Sequence, residues 1–170
     1  MFATEPKTEQ RRRPARMPKV VETPPKPGPQ PDPRLAAARV LLMGFPPEEL
    51  QALRGVLKQI GVRLTATTRS LDNMVLGSPL SRAFTHVIAR LDRAPPDEAA
   101  LSMVKVLRWR CDQMALLLVV PAALPRSTAK ARDLNRLADA VLTAPLTAPL
   151  LAQGLLLGGA NALDRQDMAS

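Results

Sequence analysis

"ADAVLTAPL", residues 138–146, reads as a short buried strand that runs into Pro145 and then starts again, with no charged side chain beside the proline. Its flanks are helical in pattern. On the amino side a helix beginning near Ser127 turns Ala131, Leu134, Leu137 and Ala138 inward and leaves Arg126, Lys130, Arg132 and Arg136 for solvent. On the carboxyl side a helix runs from about Thr147 to Leu157, and Gly158 with Gly159 supplies an expected end. Before the basic helix, "LLLVV" is a continuous apolar strand terminated by Pro121.

The same alternation fills the preceding residues. "RVLLMGF", from residue 39, is a short apolar run closed by Gly44 and two prolines, suited to a strand buried on both faces. "PPEELQALRGVLKQIG" opens on Pro and Glu, sets Leu50, Leu53, Leu57 and Ile60 at helical spacing, and stops at Gly61. "VRLTATT" reads as a half-buried strand, and Ser70 with Asp72 begins a short helix that Pro79 would end. "THVIARL" is a further strand, and Pro95, Pro96, Asp97 and Glu98 open a helix with Leu101, Val104, Leu107, Cys111 and Met114 along one face. Strands and helices alternating over short links predict an α/β fold: a doubly wound, five-stranded parallel sheet in a flavodoxin-like three-layer sandwich. Sites in such sheets form beyond the carboxyl ends of the strands.

A chain of 170 residues accommodates one ordinary domain and a tail. Residues 1–35 read as a disordered, basic, proline-rich arm, residues 36–163 as the domain, and residues 164–170 as a flexible tail. Of the basic residues, eight fall within residues 1–34 against four acidic ones, and sixteen against eleven in the remainder. Arg11, Arg12, Arg13 and Arg16 form a cluster able to touch nucleic acid, an anionic membrane or an acidic partner by charge alone. Aromatics are 2% of the chain, which disfavours nucleic-acid readers that stack bases on rings. One cysteine, Cys111, excludes an internal disulfide and a thiolate metal site and suits a reducing, cytoplasmic setting; it reads as a buried structural thiol. The amino terminus carries charges where a secretory signal needs its apolar stretch. The Ala, Arg, Leu and Pro usage fits a bacterium of high genomic GC content.

Order and spacing over residues 38–163 resemble the receiver domain of bacterial two-component response regulators. "LADAVLTAPL" is similar to that family's passage from its fourth helix into its fifth strand, which usually ends Lys-Pro; "RVLLMG" and "LLLVVPA" match its first and fourth strands. Pro145 falls on the family's proline, where the preceding bond is commonly cis, and Ala144 falls on its lysine.

The resemblance implies a phosphoryl site, and this chain departs from it at every position. Two acidic residues that help to hold magnesium follow the family's first strand; here Met43, Gly44 and Phe45 leave no carboxylate there. Pro121 stands for the hydroxyl residue ending the fourth strand. "THVIARLD" allows two registers: Arg90 takes the phospho-acceptor position, or Asp92 takes it and Arg90 moves into the middle of a central strand. Burying an unpaired guanidinium costs several kcal/mol, which favours the first. A single carboxylate at Asp92 would also be a poor magnesium site.

These departures imply a degenerate, or pseudo-, receiver: a stand-alone, phosphorylation-independent adaptor with no enzymatic step, no metal and no cofactor, presenting its surface to another signalling or regulatory protein. Two alternatives stand beside it. One is a nucleotide or nucleic-acid binder using the arm with Arg126, Lys130, Arg132 and Arg136, and the other is an atypical receiver phosphorylated on Asp92. The uncharged stretch between Asp139 and Asp164 is long enough to raise a membrane span, but Pro145, Pro149, Gln153, Gly154 and Asn161 argue against one. Leu150, Leu151, Leu155, Leu156 and Leu157 cover more than one face of the last helix, so some of them would meet a partner or a second copy in a homodimer. Trp109, off the apolar stripe of its helix, is a further partner anchor. His86 has no nearby ligand set for a metal or acid–base role.

Overall fold

In a computed structural model, residues 31–69 and 83–169 are described. The strands are β1 (Arg39–Met43), β2 (Leu64–Thr68), β3 (His86–Arg90), β4 (Ala115–Val120) and β5 (Ala140–Thr143). They form one parallel sheet in the order β2-β1-β3-β4-β5. The helices are α1 (Pro33–Ala37), α2 (Pro47–Gln59), α3 (Glu98–Arg110), α4 (Ala129–Leu137) and α5 (Ala148–Ala169). The expected α/β sandwich is the observed one. The arm with Arg11, Arg12, Arg13 and Arg16, and the short helix expected from Ser70 to Pro79, lie outside the described residues.

The pleat sorts the core. Val40 and Leu42 of β1, Ile88 of β3, and Leu117 and Val119 of β4 pack with Leu53 and Leu57 of α2 and with Leu151 and Leu155 of α5. Their neighbours Leu41, Met43, Val87, Ala89, Leu116 and Leu118 face the other way, onto Leu101, Val104 and Leu107 of α3 and Leu134 of α4. Each fully buried leucine contributes about 1.5–3 kcal/mol relative to exposure, so the uninterrupted apolar strands are what a sheet covered on both faces requires. The helix starts are capped: the Asp97 side chain accepts from Ala100 N at 2.8 Å, and Thr128 Oγ1 accepts from Ala131 N at 3.2 Å.

Two boundaries differ from expectation. The compact unit begins at Pro31, because α1 carries Leu35 into the core and Asp32 caps it by accepting from Arg34 N. At the other end α5 does not stop at Gly158 and Gly159 but continues to Ala169, so residues 164–169 are helix and not a tail. The glycines serve close packing instead. A Cβ on Gly154 would lie 2.8 Å from a Leu142 methyl, and one on Gly158 would lie 2.9 Å from a Leu117 methyl. Lacking side chains there, α5 lies directly on β4 and β5. Among the described residues no helix is long and apolar enough to cross a membrane.

Candidate functional site

Strand order reverses between β1 and β3, so the crevice of this fold opens beyond the ends of Met43 and Arg90. Met43 is buried against the α3 and α4 side of the sheet. Gly44 turns the chain out of β1 with φ +76°, a left-handed conformation that favours glycine, and its N–H donates to Thr68 O at 3.4 Å. A cleft of about 540 Å³ follows, lined by Phe45, Arg90, Leu91, Pro121, Ala144 and Pro145 among others. The bond from Ala144 to Pro145 is cis.

Arg90 is the last residue of β3, paired with Val119 of β4, and its guanidinium emerges at this rim. It is held on both sides: Nη2 donates to Glu49 Oε1 at 3.1 Å and Nη1 to Asp92 Oδ1 at 2.7 Å. Asp92 lies two residues past the strand, with its side chain 82% exposed. The expectation that no carboxylate serves this rim needs correction. Glu49 reaches it from the first turn of α2, a position that reads in the sequence only as an acidic residue suited to a helix start. Both carboxylates are nonetheless committed to a fixed cation, and a divalent ion would have to displace Arg90 to reach them. Among the described residues no group of three or more His, Cys, Asp or Glu is placed to hold a metal.

The remaining sequence candidates divide by burial. Leu151 and Leu155 are fully buried against the sheet, which removes them as partner contacts; Leu150 and Leu156 are half-buried against the same core, and Leu157 is exposed. Because α5 is pressed onto the sheet through its glycines, a wider strip of the helix is covered than a larger separation would allow. Trp109 is 78% exposed, and Val106, three residues earlier on α3, is exposed as well. Arg126, Arg132 and Arg136 face solvent, but Lys130 does not: it is half-buried, and its Nζ donates to Pro96 O at 2.7 Å.

A polar cluster at the amino-terminal end of the sheet escaped the sequence reading. Buried Asp139 accepts from Leu116 N at 2.8 Å, Arg108 Nη1 at 2.7 Å and Arg165 Nη2 at 3.3 Å. Arg108 also donates to Cys111 O and Met114 O, and Arg165 to Asp112 O and Met114 O. The last turns of α5 are thereby fastened to the loop between α3 and β4. The available signal was an isolated Asp immediately before a core strand. Beside this cluster, Thr85 Oγ1 lies 2.7 Å from His86 Nδ1, and Leu155 O lies 3.1 Å from Nε2. Burial holds the His86 imidazolium form below its ordinary range, outweighing the Leu155 carbonyl and the Asp139 charge, which favour protonation. Burial likewise pushes the Cys111 thiol up to about 11, so it stays protonated and unreactive near neutrality.

No protein-family model and no curated protein sequence matches the chain. Solved structures do. A candidate pilus assembly-related protein of Burkholderia pseudomallei superposes with a TM-score of 0.62 at 20% identity, over 75% of this chain and 92% of that one. A candidate pilus assembly protein of Burkholderia thailandensis gives 0.58 at 19% identity, over 72% and 98%. A signal receiver domain of a two-component histidine kinase from Clostridium thermocellum gives 0.53 at 13% identity, over 71% and 96%. The chain has the receiver-domain fold.

Proposed function

We propose that this domain is a phosphorylation-independent receiver-like module, a pseudo-receiver that acts as an adaptor by binding another protein in the bacterial cytoplasm. The observation that carries the reading is the guanidinium of Arg90, which stands at the end of β3 and bridges Glu49 and Asp92. An internal cation there takes the place that a metal ion would need, and Pro121 and Ala144 offer neither a hydroxyl nor an ammonium to a phosphoryl group. What the domain has to offer is surface: Trp109 with Val106 on α3, and Leu157 on α5, through which a second copy of the chain would also pair. Likeness in fold to two candidate pilus-assembly proteins makes a pilus-assembly apparatus the first setting in which to seek the partner.

Incubation of the full chain with acetyl phosphate and magnesium, followed by intact mass measurement, tests the reading. The mass is expected to stay unchanged. A stable phosphoryl adduct that disappears in Asp92→Asn would overturn it.

A further inference from the structure

A second cleft lies at the opposite end of the sheet from the Arg90 rim. It measures about 680 Å³, within the range of small-molecule sites, and its walls are largely apolar: Leu35 of α1, Phe84 ahead of β3, and Leu156 and Leu163 of α5. Three arginines line it: Arg34 in α1, Arg39 at the start of β1 and Arg110 at the end of α3; Arg34 is paired with Asp32, and the other two bear on what the cleft can hold. Among the described residues neither Arg39 nor Arg110 has a carboxylate partner. Arg110 goes further, because its Nε is buried with no hydrogen-bond acceptor, a state that native structures seldom leave uncompensated.

The other polar groups of the lining are already occupied or solvated. Both ring nitrogens of His86 are engaged, by Thr85 and by the Leu155 carbonyl. Arg34 is paired with Asp32 at 2.8 Å. The one carboxylate of the lining, Asp112, is exposed and takes a hydrogen bond from Gln113 at 3.4 Å. An apolar trough with a buried, unpartnered guanidinium nitrogen on Arg110 and a second, solvent-facing guanidinium on Arg39 is complementary to one kind of molecule, an oxyanion carried on an apolar body.

We propose that this cleft binds a small organic anion of that kind, its carboxylate or phosphate held by Arg110 and Arg39 and its apolar body lying against Leu35, Phe84, Leu156 and Leu163. Such a ligand would touch α1, α3 and α5 together.

Calorimetric titration of the full chain with decanoate, decyl phosphate, decanol and acetate, each below micelle formation, provides the test. Saturable one-to-one binding of decanoate, decyl phosphate or both is expected, with decanol and acetate at least about tenfold weaker; which of the two anions binds better identifies the headgroup. Arg110→Gln should weaken the anion about tenfold at an unchanged melting temperature, and Arg39→Gln provides the second reading should the first variant fold poorly. Decanol binding as tightly as the anions, no binding of either anion, or affinity indifferent to both substitutions would overturn the proposal.

Discussion

At the amino-terminal end of the sheet, Arg108 and Arg165 converge on one carboxylate, Asp139, whose side chain is 7% exposed; at the opposite rim Arg90 is shared between two, Glu49 and Asp92, exposed 46% and 82%. The ingredients are alike and the physics is not. Around Asp139 the carboxylate and the Arg108 guanidinium are withdrawn from water while Arg165 closes the cluster from its edge, and every group finds further partners in the Leu116 amide and the carbonyls of the α3 to β4 loop. Around Arg90 the carboxylates remain hydrated, and loss of either one leaves the guanidinium with water and the other. The buried cluster is therefore part of what holds the fold, and the rim is not. In this receiver fold, buried charge supports the packing at one end of the sheet, while charge at the other end stays in contact with water.

The sharpest way to break this contrast is Asp139→Ala. It strands the Arg108 guanidinium, whose side chain is 14% exposed, together with the Leu116 amide. Removing one partner of a buried pair costs about 3–5 kcal/mol, a large part of the roughly 5–15 kcal/mol of a typical domain, read as a fall in the urea midpoint. A loss below about 1 kcal/mol would place Asp139 in the same energetic class as the rim.

A second, smaller effect comes from His86, which packs beside that cluster. Well above the ordinary value of 6.5 the ring is neutral in both folded and unfolded chains, so the two states bind equal numbers of protons there. As pH falls through that value, the unfolded chain takes up a proton that the folded chain, with its lowered pKa, resists; stability therefore falls with pH until the folded ring protonates in turn. Urea midpoints at pH 7.5 and 5.5 should show this loss, and His86→Gln should reduce the difference. An equal difference in the variant would mean that other groups govern the acid side.

The comparison also explains what was legible in the sequence. Continuous apolar strands such as "LLLVV" and helical spacing such as Leu101, Val104 and Leu107 are demanded by burial on two faces and on one stripe, so periodicity alone reveals the sandwich. Arg90 at a strand end was legible for a related reason, since an apolar strand interior tolerates no unpaired charge. The length of α5 was not, because glycine carries two meanings. As a terminator it supplies a positive φ, whereas at Gly158 it lets Leu117 approach a helix that goes on through Ala162 to Arg165. Neither Glu49 at the rim nor Asp139 beneath β5 announced a partner, because their partners are distant in the chain: Glu49 meets Arg90, and Asp139 meets Arg108 and Arg165.

The smallest effect belongs to Arg90→Gln, and its smallness is informative. The substitution keeps most of the stem that packs at the cleft mouth while removing the charge that bridges Glu49 and Asp92. Exposed pairs of this kind are worth about 0–1 kcal/mol and are screened by salt, so the urea midpoint should move little, and less still at high ionic strength. Removing the guanidinium also leaves two carboxylates at the rim without their fixed cation, which is the condition a divalent ion would need. Calorimetry with magnesium then separates two causes of the proposed loss of receiver chemistry. Binding that appears in Arg90→Gln and is absent in the parent would show Arg90 to be the single block; silence in both, the expected result, places the loss in the whole set of Met43, Gly44, Pro121 and Ala144, which two carboxylates set apart to embrace an arginine do not replace.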